Sequence, residues 1–322
     1  MVTTPLQFDD RVAVITGAGG GLGKEYALLL ASRGARIVVN DTGGSVTGDG
    51  SDGGAAAAVA EEIRQAGGQA VPDTHSVATP EGGKAIVDTA IRAWDRVDIV
   101  INNAGIVRDA PFEDMTADLL EPLLDVHLKG AFHVTRPAWK VMREQRYGRV
   151  VNTCSAAGIL GAEHMSNYGA AKTGLIGFTR VVAAEGAGHN IKVNAIAPIA
   201  YTRMLARELE NATGQRAAEN DAAAQEVLDD LVGQYLRKLD PALVAPVVAF
   251  LAHQDCPVTG EIYSVGAGQV SRFFIGRTTG FYSPALSVED VRDHLGEIRD
   301  ETGYTVPAGP ADEMSQLFAT IN

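Results

Sequence analysis

One stretch limits the folds open to this chain more than any other. Arg11-Val12-Ala13-Val14-Ile15-Thr16, a short β-branched run, passes directly into Gly17-Ala18-Gly19-Gly20-Gly21-Leu22-Gly23. Beyond it an apolar stripe at Leu22, Tyr26, Leu29 and Leu30 recurs at helical spacing and stops at Gly34. A strand that turns through glycines straight into a helix opens a β-α-β unit, whose strands lie parallel and whose helices cover the sheet. The turn also suits a dinucleotide diphosphate. Glycines let the backbone approach, and the helix N-terminus offers unpaired N–H groups with a partial positive charge. The spacing T-G-x-x-x-G-x-G departs from G-x-G-x-x-G, so its weight comes from the strand before it and the helix after it.

The alternation continues. Strands are predicted over 36–40, 69–72, 97–102, 149–155, 191–197 and 261–265. Helices are predicted over 55–66 and 80–94, two within 112–146, one carrying Tyr168, and one over 241–253. This is an α/β pattern, a doubly wound parallel sheet (Rossmann fold) over residues 1–270, with a C-terminal extension over 271–322. Within the sheet domain, 43–54 is a Gly/Ser/Asp loop expected to be mobile, and 203–238 is a polar helical excursion read as a lid. The extension begins aromatic (Phe273, Phe274, Phe281, Tyr282), too apolar for a free tail, and should pack near the substrate pocket or a dimer partner. Helices are expected near 288–300 and 311–320.

Charge and cysteine content narrow the function. A net charge of −13 argues against nucleic acid and anionic membrane surfaces as general partners. The apolar run 242–252 is too short to span a bilayer and contains Pro246, and residues 1–10 lack the pattern of a signal peptide. Two distant cysteines, Cys154 and Cys256, make neither a disulfide framework nor a metal site. The expectation is a cytoplasmic protein without a metal.

Two further features carry chemistry. The second strand ends at Asp41, twenty residues after Gly21, where a carboxylate accepts hydrogen bonds from an adenosine ribose and repels a 2′-phosphate. No lysine or arginine lies between Ile37 and Ile63 to offset that repulsion, which favours NAD over NADP. Tyr168 and Lys172 stand four apart, on one helix face. An ammonium beside a phenol favours the phenolate and fits the tyrosine to exchange a proton with a substrate oxygen. Ser155, at the end of a strand, can hold that same oxygen. Alone, the Tyr168/Lys172 pair is better described as a partly exposed helix face.

Taken together, Thr16-Gly17…Gly21-Leu22-Gly23, Asn102-Asn103-Ala104-Gly105, Ser155 and Tyr168-x-x-x-Lys172 resemble the short-chain dehydrogenase/reductase family over residues 10–270. Val38-Val39-Asn40-Asp41-Thr42-Gly43-Gly44, Val126-His127-Leu128-Lys129-Gly130, Ile196-Ala197-Pro198 and Val265-Gly266-Ala267-Gly268 are similar to its (3R)-hydroxyacyl-CoA dehydrogenase members, the units within peroxisomal multifunctional enzymes of type 2.

The resemblance implies roles. Tyr168 is the acid/base, Ser155 orients the reacting oxygen, and Lys172 tunes the tyrosine and binds the nicotinamide ribose. Gly17, Gly21, Leu22 and Gly23 face the diphosphate, Asp41 holds the adenosine ribose, and Ser76 and Val77 flank the adenine. Asn103 and Gly105 run along the NAD cofactor, and Ala200 and Thr202 meet its nicotinamide end. His127 stands where many members place a relay asparagine, and His75 where an aspartate often meets adenine.

The implied activity is oxidation of a (3R)-3-hydroxyacyl-CoA, with Arg203, Arg207 and Arg108 as candidates for the CoA phosphates. A 17β-hydroxysteroid dehydrogenase acting on the free alcohol is the alternative, and a non-catalytic NAD-binding scaffold the third reading. No hydratase segment follows Asn322, so a stand-alone dehydrogenase is expected. Small residues along the Tyr168 helix (Thr173, Gly174, Gly177) point to a homodimer or homotetramer.

Overall fold

The computed structural model describes residues 5–207, 233 and 236–321. Eight strands, β1 (Val12–Thr16), β2 (Arg36–Asn40), β3 (Gln69–Asp73), β4 (Ile99–Asn102), β5 (Gly148–Thr153), β6 (Ile191–Ile199), β7 (Ile262–Gly266) and β8 (Gln269–Phe273), form one sheet. Their order is β3-β2-β1-β4-β5-β6-β7-β8, and β1 to β7 pair in parallel. The order reverses at β1, where Val14 lies opposite Val38 of β2 and Val100 of β4. Such a reversal opens a crevice at the carboxyl ends of β1 and β4, the place where parallel sheets bind ligands.

All five residues of β1 are buried, as a strand covered on both faces requires. Alternate side chains enter different cores. Ala13 and Ile15 pack with Tyr26 and Leu30 of α1 (Gly21–Ser32), Val59 and Ile63 of α2 (Gly54–Gln65), and a C-terminal helix over 245–252. Val12 and Val14 pack on the other face with Ile86 and Val87 of α3 (Pro80–Trp94) and with Val134 and Ala138.

Where two helices were expected over 112–146, a 3-10 turn is followed by one unbroken helical run. It comprises α4 (Ala117–Leu123), a π-helical stretch (Leu124–Lys129) and α5 (Gly130–Gln145). The widened turn carries His127, and such insertions recur at functional sites. Short α6 (Ala156–Leu160) and long α7 (Ser166–Gly186) follow β5, and α8 (Ala245–Ala252) precedes β7.

One further expectation is corrected. The sheet does not end at 261–265, because β8 follows β7 through the two-residue turn Ala267-Gly268, with φ of 50° and 78°. A turn of that form favours Asn-Gly, and the alanine at positive φ hides it from the sequence. The 43–54 loop is tied to its surroundings at several points. Asp52 N–H donates to Thr42 O at 2.9 Å, Val107 N–H to Val46 O at 3.0 Å, and Arg108 Nε–H to Thr47 O at 2.9 Å. Of the expected lid, 203–207 is helical and Leu236–Lys238 is a 3-10 turn; 208–232 and 234–235 lie outside the described residues.

The chain divides into two compact units, Met1–Arg272 and Phe273–Asn322. The second is built from α9 (Val288–Asp293), α10 (Leu295–Ile298) and α11 (Pro310–Ile321). It is held by a bridge between Arg277 and Thr305, ring stacking of Phe281 on His294 at 3.8 Å, and a capping box of Ser287 with Asp290. Among the described residues no helix is long and apolar enough to cross a membrane.

Candidate active site

A cleft of ≈ 510 Å³ lies over the carboxyl ends of the central strands. One wall is the turn from β1 into α1. Gly17 and Gly21 adopt positive φ, 64° and 50°. A Cβ on Gly17 would stand 2.8 Å from Ala104 Cα, and one on Gly23 would strike the Gly17 carbonyl. These two glycines therefore let the loop pack. Gly21 faces the cleft with nothing nearer its Cβ position than the Thr202 methyl at 3.6 Å. Among the described residues no side chain caps α1, so its first N–H groups are left for an anion in the cleft. The loop fits a dinucleotide diphosphate by shape and by donors.

Asn103 acts from behind that loop. Its Nδ2 donates to Thr16 O and Gly17 O at 3.0 Å each, and its backbone N–H donates to Thr16 Oγ1 at 3.0 Å. The turn after β4 is thus locked to the turn after β1. Gly105 is required by His127, whose Cε1 lies 2.5 Å from where a Cβ would be.

Asp41, Ser76 and Val77 line one end of the cleft, together with His75. Both Asp41 oxygens accept backbone N–H bonds, Oδ2 from Gly19 at 2.8 Å and Oδ1 from Gly43 at 2.7 Å. That grip aims the carboxylate and leaves further lone pairs for hydroxyl donors. Among the described lining residues the lysines and arginines are Lys172 and Arg203 alone.

At the other end β5 and α7 bring Ser155, Tyr168 and Lys172 into one wall. Ser155 is the N-cap of α6: its Oγ accepts the Ala157 N–H at 3.2 Å, which leaves the hydroxyl proton to donate into the cleft. Lys172 is buried and donates from Nζ to Thr153 O at 2.6 Å, with Nζ 5.5 Å from the centre of the Tyr168 ring. Burial pulls this lysine down from 10.5 to about 8. Burial also pushes the Cys154 thiol up to about 11, which keeps it protonated at neutral pH.

His127 does not line the main cleft. It is buried behind Tyr168, edge-on to its ring at 5.2 Å. Its Nε2 lies 2.8 Å from Ile106 O and 3.1 Å from Ile106 N, and its Nδ1 has no partner among the described residues. Desolvation first, and the charge of Lys172 second, hold the ring well below the ordinary histidine range, so it is neutral. The expected catalytic contact for His127 is therefore not seen: it packs against the Tyr168 ring from outside the main cleft.

Ala200 and Thr202 line the cleft after β6, as expected. The arginines lie differently. Arg207 donates Nη1–H to Val107 O at 3.0 Å and does not line the cleft. Arg108 donates to Thr47 O and Asp118 O, clamping the 43–54 loop. Arg203 stands over the glycine loop, its Nη2 3.9 Å from where a Cβ on Gly20 would be.

Several residues escaped the sequence reading. Asn167 takes the Tyr168 N–H on Oδ1 at 2.7 Å and donates Nδ2–H to Arg108 O and Leu119 O at 2.8 Å, so it sets where the tyrosine leaves α7. Val46, Ile106, Met165 and Met204 form the apolar wall around Tyr168. A buried chain from Asn102 to Asn152 to Thr179, each link 2.8 Å, ties β4, β5 and α7 together. Asn102 shows in the sequence as part of a family run, but its partners Asn152 and Thr179 show only as polar residues inside apolar elements.

The comparisons with known proteins agree with this geometry. The short chain dehydrogenase family model matches residues 11–213. The chain is 40% identical over 98% of its length to the peroxisomal multifunctional enzyme A of Dictyostelium discoideum, of which it spans 66%. It is 44% identical over 92% of its length to a short-chain type dehydrogenase/reductase of Mycobacterium tuberculosis, of which it spans 96%. The structure of full-length peroxisomal multifunctional enzyme type 2 from Drosophila melanogaster superposes with a TM-score of 0.77 at 34% identity, covering 98% of this chain and 50% of that one. With a match of this reach laid over a cleft of this chemistry, the chain belongs to the short-chain dehydrogenase family and is an oxidoreductase.

Proposed function

We propose that this oxidoreductase uses NAD to oxidise a (3R)-3-hydroxyacyl-CoA to the 3-ketoacyl-CoA. The observation that carries the reading is the wall around Tyr168: Val46, Ile106, Met165 and Met204 stand beside a polar Ser155–Tyr168–Lys172 end. Methionines and branched side chains accommodate a flexible apolar chain, and the likeness to multifunctional enzymes over almost the whole chain supports the same substrate class.

The residues divide the work. Ser155 donates to the substrate hydroxyl oxygen. Tyr168, as the phenolate, accepts its proton. Lys172 holds the phenolate by charge and has two N–H bonds left over from Thr153 for the nicotinamide ribose. The bound nicotinamide supplies the hydride acceptor. Gly21 and Leu22 would carry the diphosphate, with Gly17 and Gly23 shaping that loop, and Asp41 the adenosine ribose, where a 2′-phosphate meets a fixed negative charge.

One observation supports a second substrate. Arg108 and Arg207, read as holders of CoA phosphates, give N–H bonds to backbone carbonyls instead. A free 17β-hydroxysteroid needs only apolar walls and no such cations. The test is cofactor reduction across (3R)- and (3S)-hydroxyacyl-CoAs and free steroid alcohols, with NAD and NADP in parallel. Selective turnover of the (3R)-acyl-CoAs with NAD supports the proposal, and turnover of steroids alone transfers it to the second reading.

We also read the active form as a homo-oligomer joined through α5 and α7. Phe132 is 48% exposed and Val181 58% exposed, and the Gly177 Cβ position has open space around it. A monomer in light scattering at micromolar concentration would contradict this.

A further inference from the structure

A dinucleotide diphosphate brings two negative charges to the glycine loop, yet residues 17–23 contain no basic side chain. Lys24, next in sequence, is paired with Glu62 at 2.8 Å. The loop therefore offers dipoles and N–H groups but no full positive charge of its own. Lys172 is directed elsewhere, to Thr153 O beside Tyr168. That leaves Arg203 as the other lysine or arginine among the described lining residues.

Its placement is specific. Thr202 O accepts the Ala206 N–H at 2.9 Å, which starts the helical stretch 203–207 and sets the direction in which residue 203 leaves it. The Thr202 methyl lies 3.6 Å from the Gly21 Cβ position and Arg203 Nη2 lies 3.9 Å from that of Gly20, so these neighbours roof the loop. A guanidinium set against the uncapped N-terminus of α1 meets the positive end of a helix dipole. Two positive groups brought this close are favourable once an anion is held beside both. Among the described residues Arg203 has no carboxylate partner to account for it otherwise.

We infer that Arg203 binds the diphosphate of the dinucleotide across from the glycine loop, closing a two-sided anion clasp, rather than the phosphates of the substrate. The inference rests on the dinucleotide reading of the cleft. A guanidinium to a phosphate makes charge-assisted, bidentate hydrogen bonds, which a neutral side chain cannot replace.

The experiment measures binding, by calorimetry, of ADP-ribose, 2′-phospho-ADP-ribose and adenosine to wild type, Arg203→Gln and Arg203→Lys, at low and high salt. Arg203→Gln should weaken ADP-ribose about 10–100-fold at low salt, with the loss shrinking as salt rises. The 2′-phosphorylated form should lose by the same factor, adenosine should not change, and Arg203→Lys should recover part of the loss. The side chain is exposed, so the fold should survive both changes, and the melting temperature checks that.

Unchanged ADP-ribose affinity in Arg203→Gln overturns the inference while leaving the dinucleotide site intact. So does a loss confined to the 2′-phosphorylated ligand, or a raised KM for acyl-CoA with unchanged ADP-ribose binding. If wild type itself binds no ADP-ribose, the dinucleotide reading fails, and this inference with it.

Discussion

Strand β5 has a buried cation at each end, and the two are used in opposite ways. At its start, Arg149 is 1% exposed, with Nε on His253 O at 3.1 Å and Nη1 on Gly148 O and Asn190 O at 2.8 and 2.9 Å. The Tyr147 ring lies against it, 4.4 Å from its guanidinium carbon, with Arg11 at 3.8 Å from the same ring. At the other end Lys172 is 3% exposed and has one bond, to Thr153 O. Both are desolvated, and burial lowers the pKa of each. Arg149 is consumed by carbonyls and joins segments of the fold. Lys172 keeps donors free in a cleft that holds a tyrosine and a serine. The filled donors of Arg149 suit a structural charge, and the spare donors of Lys172 suit the working end proposed for this cleft.

The largest effect is expected at Tyr168, the proposed proton acceptor next to that lysine. Tyr168→Phe removes only a hydroxyl, and turnover should fall by about 10²–10⁴-fold. Cofactor affinity, measured by fluorescence titration, should stay within about twofold, since general acid–base chemistry and not binding is lost. Retained turnover would take the acid/base role from Tyr168.

The two cations should then separate. Lys172→Met should lower kcat/KM by roughly 10²–10³-fold, as a fixed charge at the reacting oxygen is lost. Its melting temperature should hold or rise at neutral pH, because a desolvated charge is replaced by an apolar chain. Arg149→Met should do the reverse. Several carbonyls lose their donors, costing about 2–4 kcal/mol of stability, while kcat/KM of the folded fraction is unchanged. Equal behaviour of the two variants would erase the distinction.

Much of this division was legible in the residues. The glycine turn shows itself by the strand before it and the helix after it, and the spacing of Tyr168 and Lys172 puts them on one helix face, a pair that gains meaning only beside Ser155, Asn102-Asn103-Ala104-Gly105 and that turn. What stayed hidden depends on distant partners. No spacing shows that Arg108 reaches back to Thr47, that Arg207 reaches Val107, or that Arg203 lies over Gly20. His127 was singled out, but its burial behind Tyr168 follows from a π-helical turn that shifts the register of the faces. Strand β8 was missed because Ala267 occupies a conformation usually left to glycine or asparagine.

A smaller effect tests the far end of the cleft. Asp41→Ala should shift the ratio of kcat/KM for NAD to that for NADP by about 10–100-fold toward NADP, as a ribose acceptor and a repelling charge vanish together. An unchanged ratio removes Asp41 from cofactor choice.

The smallest follows from protonation. The folded pKa of Lys172, about 8, lies below its ordinary 10.5, so burial penalises the charged form. At neutral pH both folded and unfolded chains carry the proton, and the full cost is present. Between the two values the unfolded chain binds more protons, so this lysine's cost is relieved as pH rises. The stability deficit of wild-type apoprotein relative to Lys172→Met should therefore shrink from pH about 7 to about 10 in urea titrations. A constant deficit would mean that burial does not perturb the lysine.

The most direct measurement follows the hydride itself. A (3R)-3-hydroxyacyl-CoA bearing deuterium on C3 is incubated with the enzyme and NAD, and the reduced dinucleotide is examined by mass spectrometry and NMR. The Ser155–Tyr168–Lys172 centre predicts one deuterium on the nicotinamide ring for each 3-ketoacyl-CoA formed, and almost none with Tyr168→Phe over the same time. Reduced dinucleotide without deuterium, or no reduction by the (3R) substrate at all, would contradict it.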